Sequence, residues 1–203
     1  MKYNEMTFGQ MEAVINRLGG MDGVRRFLSG ETVVKVLEQT LPTFPVWRTI
    51  KLGTGLKTAD DFRQALKLKQ AGCKISDWAN NILGKPAFIA TATEMEVDLV
   101  NVSVAELGFK EGATRKDIYD KAIKLGLELC PNEVGPQLRL QYRDQPEGER
   151  LRIAMKPIAD SDGDLTIFYV VHDDDGVWLH GSNGYPDDFW SGDNRFVFVR
   201  PRK

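Results

Sequence analysis

Asp160 to Gly181 reads DSDGDLTIFYVVHDDDGVWLHG, a seven-residue apolar run between two aspartate-rich turns, with six aspartates and two histidines in all. In the run, Leu165, Ile167, Tyr169 and Val171 fall on one face of a strand and Phe168 and Val170 on the other. Both faces are apolar, which predicts a central strand covered on two sides. The flanking turns carry hairpin chemistry, because Asp bonds nearby backbone amides and Gly accepts a positive φ. A calcium loop is the competing reading. It needs oxygen ligands at positions 1, 3 and 5, glycine at 6 and a bidentate Glu at 12. Counted from Asp160, Leu165 and Val171 occupy the last two of these places, so no metal is assigned.

The neighbouring segments extend the same pattern. QLRLQYR and ERLRIAMK alternate, which places Leu138, Leu140, Tyr142, Leu151, Ile153 and Met155 inward. Paired as a hairpin through DQPEG, they would turn Arg139, Arg143, Arg150, Arg152 and Lys156 outward as one basic stripe. Strands are expected over 137–143, 149–156, 165–171, 177–180 and 195–200, in the order of an antiparallel meander. EVDLVNVSV supplies another, and Thr114 with Asp117 opens a helix over 115–125 bearing Ile118, Tyr119, Ala122 and Ile123.

Before residue 89 the chain reads as helices. Thr7 with Gln10 forms a capping box ahead of a Phe8, Met11, Val14, Ile15, Leu18 stripe. DGVRRFL follows, with Val24, Phe27 and Leu28 expected inward. FPVWRTIKLGT is extended, Thr58 and Asp61 start a helix bearing Phe62, Ala65, Leu66 and Lys69, and Ser76 caps DWANNIL. The fold class expected is α+β: a helical part over 1–88, then an antiparallel sheet domain over 89–203. Any seam falls near Gly84 to Ala92, and the two parts are compatible with a single domain.

Charge is distributed unevenly. Residues 1–90 hold 13 Lys and Arg against 8 Asp and Glu, whereas residues 91–203 hold 14 against 21. No apolar run reaches the roughly 20 residues of a membrane helix, and MKYNEMTFGQ lacks the apolar core of a secretory signal. The cytoplasm is therefore the expected location, without membrane association. Cys73 and Cys130 have no partner at metal-ligand spacing and read as buried thiols. Nothing activates Cys130 as a nucleophile, and there is no P-loop, dinucleotide fingerprint or H-E-x-x-H. No cofactor is implied and no catalytic residue is assigned.

The run LGLELCPNEVGPQLRLQYRDQPEGERLRIAMKPIADSDGD, with DDDGVWL, ISDWANNILGKPAF and RFVFVRPRK, resembles a family of small uncharacterised bacterial proteins of unknown function. The likeness spans most of the chain and implies no activity. From the residues themselves, the aromatic and acidic loop around Trp178, Tyr185, Asp187, Asp188 and Trp190 suits a protein partner. The first expectation is accordingly a non-enzymatic binding or regulatory module. Nucleic-acid association through the basic N-terminal half or the basic stripe stands second, although that stripe shows no outward aromatics. A metal-dependent hydrolase built on the Asp and His turns stands third.

Overall fold

The computed structural model describes residues 6–33, 43–68 and 72–202. The chain divides into two compact units, Met1–Thr40 and Leu41–Lys203. In the first, helix α1 (Phe8–Arg17) begins at the Thr7 and Gln10 capping box, and α2 (Gly20–Leu28) follows. Phe8, Met11, Val14, Phe27 and Leu28 are exposed and only Gly23 of the two helices is buried, so the inward faces expected of Phe27 and Leu28 are not formed.

The second unit is built on one mixed sheet. Its strands are β1 (Arg48–Leu52), β2 (Lys74–Ile75), β3 (Met95–Ser103), β5 (Arg150–Ile153), β6 (Ile158–Ala159), β7 (Leu165–Asp173), β8 (Gly176–Asn183) and β10 (Arg195–Arg200). They run in the order β1-β3-β10-β5-β7-β8-β2, with β6 paired to β7, while β4 (Ala113–Thr114) and β9 (Phe189–Trp190) form a separate ribbon. The antiparallel meander expected from the sequence is corrected here. β10 pairs antiparallel with β3 but parallel with β5, and β2 pairs parallel with β8. Spacing along the chain cannot reveal that the last strand inserts between two earlier ones.

Helices also lie throughout the chain rather than ahead of the sheet. α3 (Ala59–Lys67) and α4 (Asp77–Leu83) start at Thr58 and Ser76, and α5 (Arg115–Lys124) starts at Thr114, each through a side-chain cap. Lys69 lies outside the described residues. The seam suggested at Gly84 to Ala92 is inside the second unit, where β1 and β2 from before it pair with β3 and β8 from after it.

The largest correction concerns residues 137–143. Residues 137–141 form not a strand but the end of helix α6 (Val134–Gln141), which Tyr142 caps, so the hairpin through DQPEG does not exist. Leu138 and Tyr142 are buried four residues apart, a helical spacing that a short alternating run mimics. Pro136 sits in the first turn, where a missing N–H costs nothing. Gly135 shows why this helix fits only here: a Cβ on it would stand 2.7 Å from the Phe168 ring and Cβ. The backbone of α6 therefore lies directly on β7.

Buried polar groups fix the surroundings of α6. Glu133, fully buried, accepts hydrogen bonds from the Gly53 and Thr91 amides at 3.0 and 2.6 Å and from Gln137 Nε2 at 2.9 Å. Gln141 accepts from the Lys51 N–H and donates to the Lys51 carbonyl, at 2.9 and 2.8 Å, which closes part of the free edge of β1. Phe168 is joined edge-to-face to Phe88, and Phe88 to Phe62 of α3. On the opposite face, Tyr119 of α5 meets Phe196 and Phe198 of β10.

Phe168→Ala should cost about 3–5 kcal/mol in denaturant unfolding, the range for a buried phenylalanine. Gly135→Ala should also destabilise, by about 1–3 kcal/mol from overpacking. Together the two losses should be less than additive, since the added methyl would enter the space left by the ring. Additive losses would show that α6 does not rest on Phe168.

Candidate functional site

The register of the sheet assembles a site that no local stretch encodes. Across one face, Phe196, Arg152, Tyr169 and His180 form a single rung running from β10 through β5 and β7 to β8. The next rung is Arg150, Val171, Trp178 and Lys74, from β5 to β2. Paired residues point to the same side, so two arginines and a lysine alternate with aromatic rings. α5 covers this face over β10, where Phe196 and Phe198 are buried. Over β5, β7 and β8, Arg152, Tyr169, Trp178 and His180 are half-buried and Arg150 is exposed, while Val171 is buried.

Trp190 forms the wall between the covered and open halves. It is held by the Ala113 pairing of β4 and β9 and by an edge-to-face contact with Phe196 at 5.9 Å. The Arg152 guanidinium lies 4.1 Å from the Trp190 ring centroid, a stacked cation. Tyr169 and His180 stack with centroids 4.8 Å apart, and His180 Nδ1 donates to the Gly181 carbonyl at 2.9 Å. Lys74 Nζ stands 5.0 Å from the Trp178 ring.

Three adjoining cavities meet at Arg150. One of about 250 Å³ is lined by Trp78, Arg150, Arg152, Tyr169, His180, Ser182 and Trp190 among others. A second, about 330 Å³, runs past Glu149, Arg152, Asp193 and Arg195. The third and largest, about 720 Å³, lies against Glu147, His172 and the Asp173, Asp174, Asp175 turn. The groove thus has a cationic, aromatic centre and an acidic rim.

Arg152 is the unusual member. None of the ion pairs among the described residues includes Arg150 or Arg152. Arg152 Nε, Trp178 Nε1 and Trp190 Nε1 are buried donors without a hydrogen-bond partner among the described residues. Burial lowers the Arg152 guanidinium to about 10, and the Arg150 charge adds to this, while Tyr169 and Asp193 oppose it. A half-buried cation in this state favours an anion brought to it.

The sequence-derived site residues separate into three groups. Trp178, Trp190, Arg150 and Arg152 come together in the groove. Tyr185 and Asp188 serve the loop itself: Tyr185 Oη donates to Asp164 at 2.5 Å, and Asp188 accepts the Tyr185 N–H at 2.7 Å. The carbonyls of Pro186 and Asp188 take the Lys116 and Arg115 amides at the start of α5, and Asp187 is exposed. The basic stripe is dispersed. Arg139, 2% exposed, is buried on α6, where it donates to Gln145 Oε1 and the Tyr142 carbonyl. Arg143 is exposed just past α6, and Lys156 is exposed beyond β5.

Sequence reading missed Tyr169, His180 and Lys74. The apolar neighbours of Tyr169 in the strand imply a core position, yet the ring is half-buried beside Arg152. Its hydroxyl was the one polar atom on that face of the run, a signal for a rim position.

The aspartate turns behave as turns. Asp160 Oδ1 accepts the Asp162 and Asp164 amides at 2.9 and 3.0 Å, and Asp173 Oδ1 accepts the Asp175 amide at 3.1 Å. Gly163 and Gly176 take positive φ of 90° and 114°. Among the described residues no three His, Cys, Asp or Glu side chains are placed to hold a metal ion. The Cys73 thiol is pushed up to about 11 and the Cys130 thiol is also raised, both by burial, which removes the thiolate a nucleophile needs.

No family model, curated protein or solved structure matches the chain.

Replacing Arg152 with Leu should leave stability unchanged or raise it, because the residue is a desolvated cation with no ion-pair partner among the described residues. Arg139→Met should instead cost about 1–3 kcal/mol, since it strands the Gln145 oxygen and the Tyr142 carbonyl. Denaturant midpoints of the two variants check the contrast; equal losses would make Arg152 a structural residue.

Proposed function

We propose that the protein is a non-enzymatic binding module that holds an anionic segment of a partner protein in the groove over β5, β7 and β8. The observation that carries this reading is Arg152, stacked on Trp190, half-buried and in none of the ion pairs among the described residues. Stacked arginines and half-buried tryptophans are the residue types in which interface energy concentrates. Their placement on paired strands keeps them rigid, so binding orders few side chains.

Nucleic acid is the second reading, favoured by the aromatic rings that the register sets beside Arg150 and Arg152. The acidic rim opposes it. Glu147, Asp173, Asp174, Asp175 and Asp193 flank the arginines on two sides and would repel a continuous phosphate backbone. We place the module in the cytoplasm, since both its thiols are free and buried. Among the described residues no helix is long and apolar enough to cross a membrane.

Affinity capture from the native cell with the wild-type chain and with Arg150→Glu/Arg152→Glu should return a protein that the variant fails to retain. Labelled single-stranded oligonucleotides should bind neither form at 150 mM salt, a concentration that screens loose charge contacts. Micromolar binding of an oligonucleotide, lost in the variant, would replace the protein partner with nucleic acid.

A further inference from the structure

The chemistry of the groove specifies its ligand more narrowly than a negative charge. Arg150 and Arg152 occupy alternate positions of β5 on one face, about 7 Å apart along the strand. Neither is neutralised by an ion pair among the described residues. One carboxylate carries a single charge and two oxygens, enough for one guanidinium. A phosphate monoester carries close to two charges and three acceptor oxygens, enough to bridge both.

The surroundings limit where that dianion can come from. The acidic turn Asp173, Asp174, Asp175 and Glu147 share the largest cavity with Arg150. Asp193 shares another with both arginines. A polyanion would meet these carboxylates on either side of the arginines, whereas an isolated phosphate with basic neighbours would complement centre and rim together. Trp190, Tyr169 and His180 wall the central cavity of about 250 Å³, room for one side chain.

From this geometry we infer that the groove reads a phosphorylated residue of the partner, with basic residues beside it lying against the Glu147 and Asp173–Asp175 rim. The inference rests on the binding-module reading above and adds a regulation to it: phosphorylation of the partner switches binding on. Arg152 and Arg150 take the phosphoryl oxygens, and the carboxylate rim selects flanking arginine or lysine.

The test uses the full chain and degenerate peptide libraries fixed only at a central residue: phosphoserine, phosphotyrosine, glutamate or unmodified serine and tyrosine. Fluorescence anisotropy should show at least about tenfold tighter binding of one phosphorylated library than of the glutamate library, the difference made by the second charge. That preference should fade below about pH 6, where the monoester takes up a proton. It should vanish in Arg150→Gln/Arg152→Gln, whose circular dichroism and melting serve as controls for folding. Asp174→Lys/Asp175→Lys should reverse the choice of basic flanks among the selected sequences. Equal binding of glutamate and phosphorylated libraries would overturn the inference and leave the binding module standing. Binding of oligonucleotides alone, or of no library, would defeat both.

Discussion

Strand β10 follows all the other strands in chain order yet runs through the interior of the sheet, between β3 and β5, and the rest of the second unit is arranged around that insertion. Phe196 and Phe198 face one side and Val197 the other, all buried, so the strand contributes to two cores at once. On the first side Tyr119 of α5 packs against both phenylalanines. Phe196 also supports Trp190, and Trp190 supports Arg152. Moving β10 by one residue would exchange its faces, dismantling the seat of α5 and the wall of the groove in one step. Because β10 must find β3 and β5 from far along the chain, this closure is a costly step in folding.

The groove lies beside the part of the sheet that α5 covers. Tyr119 of α5 packs on β10, while Arg152, Tyr169 and His180 on the same side of β5, β7 and β8 stay half-buried. The opposite face is closed by α6 and its neighbours, whose approach at Gly135 seats Phe168. Both faces hold core residues, and the desolvated arginine sits at the margin of one of them. Cation and indole stack, which offsets part of the desolvation of Arg152 without an ion pair. Such a residue is costly while no anion is bound, and an anion brought to it would offset that cost.

The local part of this architecture was legible in sequence. The caps at Thr7, Thr58, Ser76 and Thr114, the strand at Leu165 and the final strand at Arg195 all follow from short-range chemistry. What failed was non-local. Leu138 and Leu140 of α6 and its C-cap Tyr142 follow in an order that alternates, and non-local contacts, the Phe168 ring under Gly135 among them, distinguish the helix from a strand. The groove was half visible: Arg150, Arg152, Trp178 and Trp190 were singled out, but in two separate hypotheses, one basic and one aromatic. Pairing merges them. Arg152 meets Tyr169, and Tyr169 meets His180, through strand registers that no local stretch encodes.

The aspartates that first suggest a metal acquire a different meaning in this setting. Asp160 and Asp173 spend a carboxylate oxygen on backbone amides, which fixes the turns at either end of β7. Asp174 and Asp175 are exposed at the tip of the second turn, beside the cavity that Arg150 lines. Turn chemistry alone would accept Asn or Gly at such positions. Carboxylates there add a field of sign opposite to the groove centre along the cavity that Arg150 lines, and none of the ion pairs among the described residues joins them to Arg150. A surface evolved for solubility would gain nothing from keeping these charges apart. A surface that must accept one anion and reject a chain of them needs both, the arginines to hold the charge and the aspartates to limit how much of it can approach.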